Sequence, residues 1–376
     1  MLVALGKGVT MKALVVSAAL LAFTVPDADA IAAAATIPAT ARKVVLEKRE
    51  AGYAWKLVEA TVSTVGGHQV LVHVHAVGLN RGDWELLEEK GDYAGRVPVS
   101  DAAGDVVAVG KLVTGVRVGQ RVTNTYFSNW ADGPADKERL SGAFGLDVDG
   151  VLADYVLLEE AAVVPIAAGL TYEEAATLPT AGLTAYMATV DGRELQPRSV
   201  VLVQGTGGVS IFALQFAAAA NARVIVTSSS DDKLRRAHEL GATDGINYKS
   251  IPAWSERVLE LTGGHGADVI VDVGGKDTLE QSVKSLAYQG TVSIVGGLTG
   301  YGGNIPALGL LLKRARAQGI FVGSRADFQR MNAFIAKHHL HPVIDRVFAL
   351  DEREAALAYL KSGNFVGKVV LRLQPD

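Results

Sequence analysis

The run Val201-Leu202-Val203-Gln204-Gly205-Thr206-Gly207-Gly208-Val209-Ser210 has the clearest chemical meaning in the chain. Valine-rich sequence runs into Gly205, and a helical pattern opens just beyond. Gly205 permits a tight turn. Gly207 lets the backbone approach a pyrophosphate. The following helix N-terminus would meet that phosphate with free N–H groups and the positive end of its dipole. Ser210 stands where G-x-G-x-x-G has its third glycine. A plain strand-to-helix turn is the alternative, and the strand–helix alternation that follows favours a dinucleotide.

The next apolar run ends in Thr227-Ser228-Ser229-Ser230, with Lys233 and Arg235 just beyond. An NAD site wants a carboxylate about 20 residues past the glycines. Ser228 stands there instead. Hydroxyls and cations welcome a 2′-phosphate that a carboxylate would repel, so the expected cofactor is NADPH rather than NADH. Asp231 and Asp232 argue the other way, but they also suit the first turn of the next helix.

Other constellations are weaker. His73 and His75 alternate along a strand and share a face, with no third ligand in view. His338, His339 and His341 suit a helix C-terminus. No G-x-S-x-G elbow supports a hydrolase. Cysteine is absent, which excludes disulfides, thiol nucleophiles and Cys-containing zinc sites. With 36 basic and 40 acidic residues and no basic stripe, nucleic acid is not an expected partner.

The elements that position these residues fall into two patterns. From 43 to about 159, short β-branched runs such as Gln69 to His75 are broken by glycines at turn spacing, which suggests a small barrel. From 199 onward the pattern predicts strands at 199–204, 223–228, 245–248, 268–273 and 291–295. Helices at 209–220, 231–240, 253–261 and 277–287 alternate with them, as in a doubly wound parallel sheet. A helix is expected over 172–178 after Thr171, another over 352–361, and a last strand over 368–373. Residues 1–30 read as a secretory leader: Lys7 and Lys12, an apolar run from Ala13 to Phe23, then Ala28-Asp29-Ala30. The run is too short to span a membrane. A misassigned start is the alternative. Export would place the chain in a periplasm or outside the cell; otherwise it is expected in the cytoplasm.

Further motifs accompany the glycine run. They are Asn80-Arg81-Gly82-Asp83-Trp84, Ser100-Asp101-Ala102-Ala103-Gly104, Val118-Gly119-Gln120-Arg121-Val122 and Leu178-Pro179-Thr180-Ala181-Gly182-Leu183-Thr184. In this order the chain, from about residue 40 onward, resembles the medium-chain dehydrogenases/reductases. It looks most like their zinc-independent quinone oxidoreductase branch. The resemblance implies an α/β protein in which a Rossmann domain (166–323) joins a GroES-like β-barrel domain (37–165 and 324–376). Zinc-dependent relatives place ligands where this chain has Asn80, Ser100 and Thr180, so no metal is expected. The resemblance further puts Gly205, Thr206, Gly207, Gly208 and Val209 on the pyrophosphate, and Thr184 beside the nicotinamide. Ser228, Ser229 and Lys233 fall at the adenosine ribose or its phosphate. Gly274, Gly296, Phe321, Val322 and Gly323 line the nicotinamide side, and the segment holding Phe365 and Lys368 closes on the cofactor.

The implied reaction is hydride transfer from NADPH to a quinone or conjugated carbonyl. Asn80 is the expected neutral donor to the acceptor oxygen, with Asp83 orienting Asn80 or the nearby Arg81, and Thr180 and Thr184 adding hydroxyl donors. No dedicated proton donor is evident. Trp84, Tyr126, Phe127 and Trp130 could stack on a flat acceptor or simply pack the barrel. An alcohol/ketone reductase and a non-catalytic NADPH-binding redox sensor are the competing functions. The partners implied are a small-molecule substrate and a second copy of the chain, paired through the Rossmann sheets.

Overall fold

A computed structural model describes residues 37–193 and 195–374. The leader-like segment at 1–30 lies outside the described residues. Among the described residues, no helix is long and apolar enough to cross a membrane.

Strands β1 (Thr40–Lys48) and β2 (Tyr53–Thr61) form an antiparallel hairpin. Next come β3 (Gln69–Leu79), α1 (Arg81–Glu85), β4 (Asp101–Val109), β5 (Arg121–Asn124), β6 (Tyr155–Glu159) and β7 (Val163–Pro165). The valine-rich β3 is the hub of a seven-stranded sheet. It pairs antiparallel with β4, with β6 and with β15 (Lys368–Arg372). Beside β15 lies β14 (Ile344–Ala349). The C-terminal strands therefore return to the N-terminal sheet. Its core includes Val44, Leu46, Trp55, Val72, Val106 and Leu152.

Between these parts runs a parallel six-stranded sheet. It holds β8 (Val200–Gln204), β9 (Arg223–Ser228), β10 (Asp244–Asn247), β11 (Ala267–Asp272), β12 (Leu286–Ile294) and β13 (Arg316–Gly319). Their spatial order is β10-β9-β8-β11-β12-β13. The chain winds outward from β8 in both directions, as in the doubly wound dinucleotide fold. Alternation explains the apolar runs. Val201, Val203, Val224, Val226, Val269 and Val271 face one core, while Val200, Leu202, Ile225 and Ile270 face another. A strand buried on both faces needs apolar residues at every position.

Helices α4 (Gly208–Ala219), α5 (Asp231–Glu239), α6 (Trp254–Leu261), α7 (Leu279–Ser285) and α8 (Ala307–Lys313) connect these strands. Several boundaries differ from the sequence expectation, two of them for a visible reason. The helix expected over 172–178 is a short α2 (Tyr172–Ala175), followed by a π-helical turn, Leu178–Gly182, that runs into α3 (Leu183–Thr189). Pro179 lacks the N–H a continuous α-helix would use. The helix expected over 277–287 ends at Ser285, because Leu286 pairs with Ala267 and starts β12. Pairing across the sheet overrides local helix propensity there.

Past β13 the chain makes the segment Phe321-Val322-Gly323 and enters α9 (Arg325–His338); α10 (Arg353–Ser362) comes later. Val322 has φ +57°, a costly region for a β-branched residue. A tight cap holds it in place. The Ser324 hydroxyl accepts from Asp327 N at 3.1 Å, and Asp327 Oδ2 accepts from Ser324 N at 2.7 Å. Ser324→Ala should therefore lower stability by about 1 kcal/mol. Urea unfolding checks this, and an unchanged midpoint would mean the cap is not what holds this turn.

Candidate active site

The site forms where four elements end against one another. Asn80 leads into α1, Ser100-Asp101 opens β4, Thr180 sits in the π-helical turn, and Lys368 begins β15. All converge on Asp101, which is fully buried. Its carboxylate accepts from the Ser100 hydroxyl at 2.6 Å, the Thr180 backbone N–H at 3.1 Å and Asn80 Nδ2 at 2.9 Å. The Thr180 hydroxyl also donates to it. On the far side, Lys368 Nζ donates to Asn80 Oδ1 and to Leu79 O, each at 2.6 Å. Asp83 Oδ2 accepts from Asn80 N at 2.6 Å, which ties the start of α1. Just before this cluster, Val99 holds φ +70°. That left-handed step turns the chain into β4.

Burial dominates the electrostatics. Asp83 is 7% exposed, and burial raises its pKa to about 7, helped by the nearby Asp101 charge and opposed by its bond to Asn80 N and by Lys368. Lys368 is 3% exposed, and burial lowers its proton affinity against the pull of Asp101 and Asp83. A buried charge demands a partner. Here Lys368 makes no direct ion pair with either carboxylate, and the attraction acts across Asn80.

The glycine loop adjoins this cluster. Gly205 has φ +74°, the left-handed turn its position requires. A side chain at Gly207 would enter open space, which leaves room for a ligand against the α4 N-terminus. At Gly208 a Cβ would fall 2.7 Å from the Lys368 stem. Gly367 N donates to Thr206 O at 3.0 Å, so the C-terminal segment is tied to the loop. Ser210 is buried and donates to Gln204 O at 2.7 Å, pinning helix to strand where a third glycine would only allow close approach. Val209 follows on α4.

At the end of β9, Ser228 is buried and its hydroxyl accepts from Ser230 N at 3.3 Å. The Ser229 side chain makes no hydrogen bond among the described residues, and Lys233 Nζ donates to Gly363 O. Asp231 and Asp232 lie in the first turn of α5, and Asp231 accepts from Asn247 at 2.8 Å. Gly274 follows β11 and Gly296 follows β12, so both lie at the carboxyl edge of the sheet. Thr184 is enclosed within α3. Phe365 packs toward Tyr359 with ring centres 6.2 Å apart.

The aromatic residues divide. Phe127 and Trp130 are buried core. Tyr126 and Phe321 remain at the surface of that core, their ring centres 6.0 Å apart. Trp84 packs against the barrel, with Lys361 Nζ over its ring.

Four of the histidines singled out in the sequence have local contacts. His73 and His75 share a face, and His75 Nε2 lies 2.9 Å from Asp105. His341 pairs with Glu174, and His338 lies on Phe334.

Known proteins agree with this architecture. Residues 66–168 match the alcohol dehydrogenase GroES-like domain, and 208–337 match the zinc-binding dehydrogenase domain. A zinc-type alcohol dehydrogenase-like protein of Schizosaccharomyces pombe is 42% identical over 81% of this chain and 91% of its own. The chain belongs to the medium-chain dehydrogenase/reductase family. A quinone oxidoreductase-like protein 2 homolog of Nematostella vectensis is 31% identical over 84% of this chain and 85% of its own. A crystal structure described as an alcohol dehydrogenase of Sinorhizobium meliloti 1021 superposes with TM-score 0.84 at 40% identity, covering 90% of this chain and 100% of that one. Another, described as an NAD-dependent alcohol dehydrogenase, gives TM-score 0.79 at 32% identity, covering 89% and 100%. The chain is thus an oxidoreductase with the family's GroES-like domain and Rossmann-type sheet.

The family model's zinc does not fit these residues. An amide and two hydroxyls stand at the ligand positions, whereas a catalytic zinc takes imidazole, thiolate or carboxylate donors. Among the described residues, no three His, Asp or Glu side chains group so as to hold a metal.

Sequence reasoning quoted Asp101 in a motif but gave it no role. The missed signal was a charged residue opening an apolar strand, and Lys368 before Val369-Val370 repeats it.

The Asp83 shift predicts a pH effect. Its folded pKa lies above the unfolded value of about 4, so its contribution to stability is complete below pH ~4 and is lost as pH rises through ~7. Asp83→Asn keeps an acceptor for Asn80 N but removes this titration. In urea unfolding, its stability relative to wild type should rise between about pH 4 and 7. A constant difference across that range would rule out a buried, titrating Asp83.

Proposed function

We propose that the chain is a zinc-independent, NADPH-dependent reductase of quinones or conjugated carbonyls. The observation that carries this reading is the Gly205–Gly208 turn, open at Gly207 and tied to the C-terminal segment beside the polar cluster around Asp101. A nicotinamide cofactor held there would supply hydride to the acceptor. In this reading Gly205, Thr206, Gly207, Gly208 and Val209 bind the pyrophosphate. Thr184, Gly274, Gly296, Phe321, Val322 and Gly323 shape the nicotinamide side, and Phe365 and Lys368 brace the closing segment. Asn80, Asp83 and Thr180 hold the acceptor end rigid and exclude water from it.

Ser228, Ser229 and Lys233 favour NADPH over NADH. Strand β9 ends at Ser228, Ser229 and Ser230 follow it, and the first carboxylates come only inside α5. A 2′-phosphate would meet hydroxyls and an ammonium there. Titration of NADPH and NADH by cofactor fluorescence, followed by 1,4-benzoquinone and 2-cyclohexenone, tests the proposal. Preferred NADPH binding with acceptor-dependent oxidation is expected, and Ser228→Asp should weaken NADPH by at least about tenfold through charge repulsion. Binding without turnover on either acceptor would point instead to a redox sensor.

We also propose that the chain works as a homodimer. All four residues of the edge strand β13 are exposed, and α8 beside it buries none of its residues. Leu308, Leu311 and Leu312 are 65%, 72% and 66% exposed. An open edge flanked by exposed leucines fits two-fold pairing with a second copy. Light scattering should give twice 39.4 kDa, and Leu311→Asp should shift the protein toward monomer. A monomeric wild type would overturn this.

A further inference from the structure

The reaction needs a hydrogen-bond donor at the acceptor oxygen, and the cluster around Asp101 does not offer one freely. Asn80 Nδ2 is turned to Asp101, Gly78 O and Ser100. The hydroxyls of Ser100 and Thr180 both donate to Asp101. Lys368 Nζ is held by Leu79 O and Asn80 Oδ1. Among the described residues, the hydroxyls of Thr184 and Tyr126 make no hydrogen bond. Thr184 is only 5% exposed. Tyr126 is half-buried, next to Phe321, which is 56% exposed.

We propose that the Tyr126 hydroxyl donates a hydrogen bond to the oxygen of the acceptor, and that the acceptors it suits are conjugated carbonyls reduced through an enolate. This rests on the reductase reading above. The ring is fixed edge-on against Phe127, with centres 4.7 Å apart, and it leans on Phe321. Such packing limits where the hydroxyl can point. Burial and the negative charges of Asp101 and Asp83 raise its pKa, so the proton stays on Tyr126 through the working pH range. A donor of that kind stabilises a developing oxyanion by preorganised hydrogen bonding and does not give up its proton. Hydride adds at the β-carbon, the C=C electron pair moves toward oxygen as an enolate, and the α-carbon then takes a proton from water. A hydroquinone anion is aromatic and stabilises itself. An enolate is a stronger base and gains more from the donor.

The test uses the full chain and Tyr126→Phe, which keeps the ring packing. With 2-cyclohexenone, kcat/KM should fall on the order of a hundredfold, the usual loss for one oxyanion donor. With 1,4-benzoquinone it should fall far less, and NADPH binding should be unchanged. A binding readout stands apart from turnover. 4-Nitrophenolate, an enolate mimic, should bind wild type with its absorption band shifted to the blue by the hydrogen bond. It should bind Tyr126→Phe about tenfold more weakly and unshifted, as expected for one lost hydrogen bond to a charged oxygen. Equal enone activity in both proteins overturns the Tyr126 role and leaves the reductase reading standing. An unshifted band in wild type also overturns it, even if the variant fails to fold. If wild type oxidises NADPH with neither acceptor, the reductase reading itself falls.

Discussion

One buried carboxylate organises this molecule. Asp101 has no solvent to stabilise its charge, so it draws donors from every element around it. Ser100 comes from its own strand, Asn80 from the end of β3, and Thr180 from the π-helical turn that starts the nucleotide half. Lys368, reached through Asn80, adds the C-terminal strand. Removing one member of such a set would leave the rest buried and unsatisfied, which costs far more than an ordinary hydrogen bond. The joint between the two sheets is thereby fixed by polar chemistry as well as by apolar packing.

That joint also sets the place of the glycine loop. The stem of Lys368 lies against Gly208, and Gly367 is bonded to Thr206. The ammonium that balances Asp101 and the backbone that would meet a pyrophosphate are therefore neighbours in one short segment. A change in the polar cluster should be felt at the loop, because both hang on residues 366–368. Ser210 fixes the loop from the other side through Gln204 O.

The aromatic residues show how one local pattern divides under packing. Tyr126, Phe127 and Trp130 are close in sequence, yet Phe127 is 1% exposed and serves the core. Tyr126 is only partly buried at the margin of that core, its ring beside Phe321. The three residues look equivalent until β5 and the segment after β13 are brought together.

The sequence by itself determined the doubly wound sheet, the turn at Gly205–Gly208 and the absence of thiol chemistry, because these depend on local properties. Strand periodicity, glycine backbone freedom and residue identity act within a few positions. It also made the family legible through Asn80, Asp83, Thr180 and the glycine motif. Tertiary structure alone decided that Asn80 faces Asp101, that Lys368 turns its ammonium to Asn80, and that Tyr126 keeps a free hydroxyl. It also ended α2 before Pro179 and began β12 at Leu286. Those outcomes depend on partners between 20 and nearly 300 residues away in the chain, or on pairing across a sheet. A charged residue in an apolar strand signals that such a partner must exist, and only the folded chain says which one it is.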